Sequence, residues 1–277
     1  MLTRRSFNLL LGGLAASTAA SALPAIAQGD NLLEQIKASG KLRVAGIPDG
    51  APYYQKDLIN NTWKGFYIDI CQKLADDLGV KMDLIETTWG NSVLDLQAGK
   101  LDVFFGLNPT PQRAEIVDFS GPVFNNAFSF ISTKPLEGKT WEDFNKPEFR
   151  IAVDAGSSHD AAVTRHCPNA TISRLKTQSD ATTALQSGRV DAQCLVLVIA
   201  LTQRANNPSV KEVMVPTEVD AATSNAGFRK GADKAWQDFV NNWIEENRAT
   251  GFVRDAIVRN MELVGVKESD FPEGLGI

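Results

Sequence analysis

The residues best suited to chemistry lie in one stretch, residues 101–122, with the sequence LDVFFGLNPTPQRAEIVDFSGP. Arg113 lies near its middle, and a guanidinium group presents a planar fork of donors that matches a carboxylate. The chemistry that this stretch predicts is therefore the binding of an organic anion. The competing interpretation is an arginine that lies on the solvated surface.

The elements around Arg113 favour anion binding. A short apolar strand, residues 103–105, should end at Gly106 and the Asn-Pro-Thr-Pro run that follows, because each proline fixes its own φ and lacks an N–H group. Thr110 directly precedes Pro111, as an N-cap precedes a proline in the first helical position, which places Arg113 in the first helical turn. A strand end, a turn and a helix start together offer free N–H groups to an anion.

Strand and helix patterns alternate along the chain. Residues 42–47 and 81–86 have the composition of strands, and residues 66–78 have the apolar spacing of a helix that ends at Gly79. After a long apolar segment, residues 125–133, the alternation begins again. The pattern predicts an α/β protein with two lobes, each a mainly parallel sheet flanked by helices, joined by two hinge crossings.

We assign residues 28–130 and 226–277 to the first lobe. Residues 131–225, with the hinge crossings, form the second. In the second lobe, residues 159–166 are typical of a helix and residues 190–198 of a buried strand that leads into a helix. Trp236 and Trp243 are seven residues apart in a predicted helix and therefore share one face. We expect that face to pack within its lobe.

The composition argues against several classes of protein. The 277 residues carry 28 Lys and Arg against 33 Asp and Glu, and no basic run occurs, so we expect no nucleic-acid partner. Two histidines without metal-ligand spacing predict no metal site, and no cofactor is expected. The three cysteines leave at least one free thiol. Cys71 has the position of a buried helix residue, while a disulfide between Cys167 and Cys194 is one alternative.

Residues 1–27 have the pattern of a signal peptide. Residues 3–7 (TRRSF) form a twin-arginine motif, residues 9–20 are mainly apolar, and Ala25-Ile26-Ala27 suits cleavage before Gln28. The apolar run is shorter than the roughly 20 residues that a membrane span needs. We therefore expect the folded chain to be exported and cleaved near Ala27-Gln28, giving a soluble, monomeric periplasmic protein.

This assignment predicts the effect of replacing Arg4 and Arg5 together by lysine. The variant should accumulate as unprocessed precursor in the cytoplasm, because the arginine pair selects the twin-arginine route. Cell fractionation and immunoblotting measure this, with a protein that uses another export route as the control. Mature protein in the periplasm at normal yield would show that the chain does not depend on this route.

Seven segments resemble the family-3 periplasmic solute-binding proteins of bacterial ABC transporters for polar amino acids. In chain order they are SGKLRVAG, GFYIDICQKLADDLG, LQAGKLDV, TPQRAEIVDFSGPV, VDAGSSHD, LQSGRVDA and GFRKGADKAWQDFVNNW. Each segment alone is a weak signal, but seven in the family's order are a strong one. The resemblance implies a two-lobed protein that closes on a small carboxylate-bearing solute and then docks on an ABC permease in the inner membrane.

The resemblance assigns roles to the candidate residues of the first lobe. Arg113 would clamp the ligand carboxylate, with Gly106 and Asn108 beside it, although Asn108 could instead only cap its own turn. Trp89 matches a position at which the family presents an aromatic ring to the ligand's side chain. Packing in the core is the alternative for Trp89.

The second lobe contributes the loop Gly156-Ser157-Ser158-His159, which lies between a predicted strand and a predicted helix. Its N–H groups and the hydroxyls of Ser157 and Ser158 suit an anion, and we expect them to close over the carboxylate. Helix capping alone is the alternative. His159 follows where the family often has a polar, ligand-facing residue, and a surface histidine is its alternative.

One position departs from the family's pattern. In amino-acid binders of this group, the strand after Gly-Arg-Val-Asp-Ala usually carries an acid that pairs with the ligand's α-ammonium, and here the matched residue is Val196. An ammonium buried against valine would lack a partner, which is costly. The ligand should therefore be a carboxylate without an α-ammonium, which we prefer, or an amino acid whose ammonium is held elsewhere. Asp160 is the nearest candidate for the second alternative.

The sequence contains few features that would indicate an enzyme. It contains no Gly-x-Ser-x-Gly, no Walker-type phosphate loop and no Gly-x-Gly-x-x-Gly. Cyclohexadienyl dehydratases share the family's fold, and such an enzyme is the alternative function. That reaction needs a positioned acid to expel a hydroxyl, and no acidic residue clearly fills that role at the matched positions. We therefore expect a binding protein and not an enzyme.

Overall fold

The computed structural model describes residues 31–231 and 234–273, so the predicted signal peptide lies outside the described residues. The helices are α1 (Leu32–Ser39), α2 (Phe66–Leu78), α3 (Asn91–Gln97), α4 (Pro111–Ala114), α5 (Trp141–Phe144), α6 (Ser158–His166), α7 (Gln178–Gln186), α8 (Leu197–Asn206), α9 (Lys234–Ala249) and α10 (Phe252–Leu263). The strands are β1 (Lys41–Gly46), β2 (Gln55–Asp57), β3 (Thr62–Lys64), β4 (Lys81–Glu86), β5 (Phe104–Leu107), β6 (Val117–Ser132), β7 (Arg150–Asp154), β8 (Thr171–Leu175), β9 (Ala192–Val196), β10 (Glu212–Met214) and β11 (Ala221–Arg229).

Near the N-terminus the predicted alternation of strands and helices is confirmed. β1 and β4 pair in parallel, and β5 lies beside β1 through a bridge between Val44 and Val103. α2 buries Phe66, Ile70 and Leu74 at the helical spacing expected of a face turned to a sheet. It ends at Gly79, whose φ of 71° is a left-handed conformation that glycine adopts without strain.

Two long strands dominate the middle of the fold. β6 pairs antiparallel with β11 from Val117 to Ala127 and with β9 from Phe128 to Ile131. β11 in turn pairs antiparallel with β5. β6 is therefore shared between the strands near β5 and those near β7. Because β6 and β11 run in opposite directions between the two groups of strands, the fold contains antiparallel pairs as well as parallel ones.

The later strands repeat the parallel arrangement. β7 pairs in parallel with both β8 and β9. The strand predicted over residues 190–198 is shorter than expected, because β9 ends at Val196 and Leu197 begins α8. Every residue from Leu197 to Thr202 is buried, so an apolar run alone could not distinguish the end of the strand from the start of the helix.

The C-terminal helices return to the elements near the N-terminus. α9 packs against α1 and β6, and α10 packs against α2 and α9. Trp236 and Trp243 are both buried on one face of α9, which confirms their predicted packing role. The Trp236 indole donates to the carbonyl oxygen of Asp102 at 3.0 Å, so its polar atom is also satisfied.

Below, the first lobe denotes β1–β5 with α1–α4, α9 and α10, and the second lobe denotes β7–β10 with α5–α8. The exact chain positions at which the lobes divide stay a prediction. None of the helices among the described residues is long and apolar enough to cross a membrane.

The cysteines and one glycine differ from the simplest expectations. Cys71, Cys167 and Cys194 are all buried free thiols, so the alternative of a disulfide between the last two does not occur in this structure. Gly106 does not end the strand, because β5 continues through it to Leu107. Its φ of 97° is one that only glycine adopts readily, and this permits the strand to continue while its path changes.

Candidate ligand-binding site

The residues predicted for the site lie together around one cavity. It has ≈ 250 Å³ of space not occupied by atoms. Its walls contain all eight predicted residues, namely Trp89, Gly106, Asn108, Arg113, Ser157, Ser158, His159 and Val196. Tyr53 and Ile199 also line it, although no sequence pattern marked either of them as a site residue. The structure thus brings the eight residues together, while their binding roles stay predictions.

Arg113 is held by the short helix that its sequence context predicts. The Thr110 hydroxyl caps α4 by accepting from the Arg113 backbone N–H at 3.2 Å, with Pro111 in the first helical position. The side chain then turns inward, and only 6% of the residue is exposed. Its Nη1 donates to the carbonyl oxygen of Asn108 at 3.1 Å, and its Nη2 to that of Gly156 at 3.3 Å.

The charge of Arg113 has no direct counter-ion. No carboxylate among the described residues lies within ion-pair distance of its guanidinium, and carbonyl oxygens are its hydrogen-bond acceptors. Burial lowers the pKa of Arg113 to about 10, against the opposing effect of the negative charge of Asp154. The group is still protonated at neutral pH. A buried cation without a paired anion is costly, and a ligand anion would remove that cost.

Asn108 connects the two lobes. Its Oδ1 accepts from the Ser158 hydroxyl at 2.9 Å, and its Nδ2 donates to the Thr223 carbonyl at 2.9 Å. Neither bond is a local cap, so the alternative in which Asn108 only caps its own turn does not describe this side chain. Ser157 does cap a helix, since its hydroxyl accepts from the N–H of Asp160 at the start of α6.

Trp89 contacts the cavity and also packs against other aromatic rings. The Tyr53 ring meets it edge-on with centroids 5.7 Å apart, and Phe104 lies 5.6 Å away. Its indole Nε1 is buried and has no hydrogen-bond partner in the described part of the chain. An unpaired buried donor is rare in native proteins, so this N–H group sets Trp89 apart from a residue that only packs in the core.

His159 is buried, so the alternative of a surface histidine is wrong. Its Nδ1 lies 3.1 Å from Oδ1 of Asp154, the last residue of β7, and the side chains are 4% and 5% exposed. Asp160, the acid that the sequence suggested, does not line the cavity. Its carboxylate accepts from Arg174 Nε at 2.8 Å and from the Gly156 N–H at 3.1 Å. No sequence pattern marked Asp154, because its pairing with His159 depends on where α6 begins.

Val196 presents an apolar surface where the family's pattern has an acid. It ends β9, is 2% exposed and lines the cavity together with Ile199, which lies in the first turn of α8. Neither side chain can pair with an ammonium group. The cavity wall is therefore apolar at the position where the family's pattern predicts an acid.

Two further contacts cross the cleft outside the cavity. Asp49 of the first lobe accepts from the Ser179 N–H at 2.8 Å, and its carbonyl accepts from Gln178 Nε2 at 3.1 Å, both at the start of α7. Gly90 lies against Ala155 so closely that a Cβ atom on Gly90 would overlap the Ala155 carbonyl oxygen. Sequence reasoning did not find these residues, because nothing local marks a contact between lobes.

The structure is that of a two-lobed α/β protein with a small cavity between its lobes. The model of the bacterial extracellular solute-binding proteins, family 3, matches residues 42–259, and this chain belongs to that family. The chain is 24% identical to cyclohexadienyl dehydratase of Pseudomonas aeruginosa over 265 residues, which are 93% of this chain and 96% of the enzyme. It is 29% identical to a glutamine-binding protein of Geobacillus stearothermophilus over 168 residues, 59% of this chain and 64% of that protein.

Solved structures share the fold. A reconstructed ancestral amino acid-binding protein, a precursor of cyclohexadienyl dehydratase, aligns with a TM-score of 0.75 at 30% identity, covering 83% of this chain and 99% of its own. A solute receptor for L-cysteine of Neisseria gonorrhoeae aligns with a TM-score of 0.79 at 25% identity, covering 88% and 99%. These proteins include both binding proteins and the lineage of an enzyme.

Proposed function

We propose that this chain is the solute-binding component of an ABC importer and that its ligand is a small carboxylate, amino-acid-like in size. The observation that carries the proposal is the buried guanidinium of Arg113, which has no ion-pair partner among the described residues. A ligand carboxylate would supply the missing charge and could accept two parallel hydrogen bonds from the guanidinium. Relatives that include a glutamine-binding protein and an ancestral amino acid-binding protein support a ligand of this size.

Residues from both lobes surround the site, and this supports a binding protein that closes. Arg113 and Asn108 belong to the first lobe, whereas Ser158 and His159 belong to the second. A ligand that contacts both lobes stabilises their contact, because it binds the closed arrangement better than an open one. A permease in the inner membrane would then recognise the liganded form. The predicted signal peptide supports a periplasmic location, and we propose that the mature chain acts there as a monomer.

A thermal-shift panel tests this function. The protein is first unfolded and refolded to remove any ligand that purifies with it, and is then heated with single amino acids and their 2-oxo acid counterparts. A ligand at a hundredfold excess over its Kd should stabilise the fold by about 2.7 kcal/mol, which raises Tm by roughly 5–10 °C in a chain of this size. Methyl esters of the same compounds are the control, because they lack the carboxylate. Equal shifts from acid and ester would contradict carboxylate recognition.

A dehydratase is the second candidate, because the P. aeruginosa enzyme aligns with almost the whole chain and His159, which is paired with the buried Asp154, lines the same cavity. A histidine oriented by a carboxylate can deliver a proton to a leaving hydroxyl. The test is incubation with a hydroxylated cyclohexadienyl carboxylate while aromatic absorbance is followed. Turnover that is lost in His159→Gln would establish the enzyme, and binding without turnover would leave the transport function.

A further inference from the structure

The cavity lacks an acid where the family's pattern would hold a ligand ammonium, but a different acid lies behind its wall. Val196 and Ile199 form the apolar part of that wall. Asp160 is paired with Arg174 outside the cavity. Asp154 is buried at the end of β7, and its only hydrogen-bonded side chain among the described residues is His159. The carboxylate and the imidazole therefore have to be considered as one unit.

The hydrogen bond to Asp154 determines which nitrogen of His159 can accept a hydrogen bond from a ligand in the cavity. A carboxylate at Nδ1 holds the ring proton there when the imidazole is neutral. Nε2 is then an acceptor, and it has no hydrogen-bond partner in the part of the chain that the structure describes. Because the His159 ring lines the cavity, this nitrogen can receive a donor from a ligand.

The fixed charges of the site favour a zwitterion. Arg113 contributes one buried positive charge and Asp154 one buried negative charge, and no ion pair joins them. A ligand with one carboxylate and one ammonium compensates both. A monoanion would compensate Arg113 but leave the carboxylate of Asp154 without a cation, unless His159 took up a proton.

We propose that the Asp154–His159 pair is an ammonium-binding subsite that replaces the acid missing at Val196. On this view Arg113 binds the carboxylate of an amino acid, Nε2 of His159 accepts from its ammonium, and Asp154 stabilises that positive charge from behind the ring. The proposal rests on the proposed function and names the ligand class for the same site. It selects the second of the two alternatives that the sequence left open, with a different acid.

The subsite makes affinity depend on pH. Histidine is the side chain that generally gains a proton between about pH 8 and pH 5. A protonated ring has no acceptor at Nε2 and repels an ammonium, so amino-acid affinity falls as pH falls. A 2-oxo acid shows the opposite trend, because a protonated His159 restores the charge balance and donates to the ligand.

The charged groups around His159 come from several elements. Asp154 on β7 pairs with its ring, Arg113 on α4 lines the same cavity, and Asp160 follows it on α6 in an ion pair with Arg174. Phe128 on β6 meets the ring edge-on. Burial raises the pKa of the Cys194 thiol on β9 well above its usual value, so the thiol stays neutral. Burial likewise raises the pKa of Tyr53, whose hydroxyl accepts from Asn126 Nδ2 at 2.7 Å.

Calorimetric titration with L-amino acids and the matching 2-oxo acids tests the subsite. For an amino acid that binds, we expect affinity to fall from pH 8 to pH 5 by as much as about tenfold per pH unit, the limit for one linked proton. His159→Gln should abolish this dependence of affinity on pH. Asp154→Asn should weaken binding of the amino acid by at least about tenfold, as expected when a charge partner is lost. Two matched controls should retain the wild-type pH slope, Asp160→Asn beside the site and His166→Gln at the second histidine, which is bound to Asp220.

The outcomes separate this inference from the function on which it rests. Tighter binding of the 2-oxo acid, with affinity that rises at low pH, would overturn the subsite and leave the carboxylate function intact. An unchanged pH slope in His159→Gln would also overturn it. The pH dependence of wild-type affinity and its comparison with that of His166→Gln do not require Asp154→Asn. The test therefore holds even if Asp154→Asn does not fold. Failure of every acid in the panel to bind would overturn both proposals together.

Discussion

Replacing Arg113 by alanine should weaken ligand binding by roughly 2–5 kcal/mol, in line with truncating one partner of a buried charge pair. The expected loss is large because Arg113 is only 6% exposed and its guanidinium has no ion-pair partner among the described residues. A bound carboxylate left without it would be buried and unpaired. The free protein should fold as well as the wild type, since removing an unpaired buried charge takes away a cost.

Titration calorimetry and the Tm of the free protein measure the two effects separately. Arg174→Ala is the matched control, because it removes a half-exposed arginine near the same cleft that pairs with Asp160 and does not line the cavity. The affinity of Arg113→Lys should lie between those of Arg113→Ala and Arg174→Ala, since lysine keeps the charge but loses the planar fork. Arg113→Ala with wild-type affinity would show that the carboxylate does not bind at this residue.

The sequence predicted best what is determined locally. Thr110 and Pro111 fix the start of α4, and this alone orients the backbone at Arg113. The alternating apolar runs likewise predicted β1, α2 and β4 at nearly the observed positions. Caps, prolines and periodicity act within a few residues of one another, so one chain is enough to recognise them.

The remaining features depend on contacts between distant segments. The pairing of Asp154 with His159 requires α6 to begin at Ser158, one residue earlier than predicted, and requires both side chains to be buried, with the His159 ring against Phe128 of β6. The cross-cleft contacts of Asp49 and Gly90 depend on how the lobes meet. No local pattern encodes such distances. The resemblance located the cavity residues, but it could not reveal an acid that this chain has at another position.

Gly90→Ala should weaken ligand binding while leaving the free protein stable. Gly90 has φ −73° and ψ −42°, which alanine adopts without strain, so the substitution can stabilise the chain by about 0.4–1 kcal/mol through its unfolded state. When the lobes meet, however, the new Cβ overlaps the Ala155 carbonyl oxygen. Overpacking of this kind typically costs about 1–3 kcal/mol. That cost applies only to the form in which the lobes meet, and so it appears as lost affinity.

Gly90→Ala is expected to lower ligand affinity without lowering the stability of the free protein, and this combination makes it a specific test of closure. Calorimetric affinity should fall by roughly 5–150-fold, which is 1–3 kcal/mol, while the Tm of the free protein stays equal or rises. Gly121→Ala is the matched control, because Gly121 is far from the cleft and a Cβ there meets nothing closer than 3.9 Å. Small-angle scattering should show the ligand-induced compaction in the control and a smaller one in Gly90→Ala. Wild-type affinity and compaction in Gly90→Ala would mean that ligand binding does not require Gly90 and Ala155 to meet.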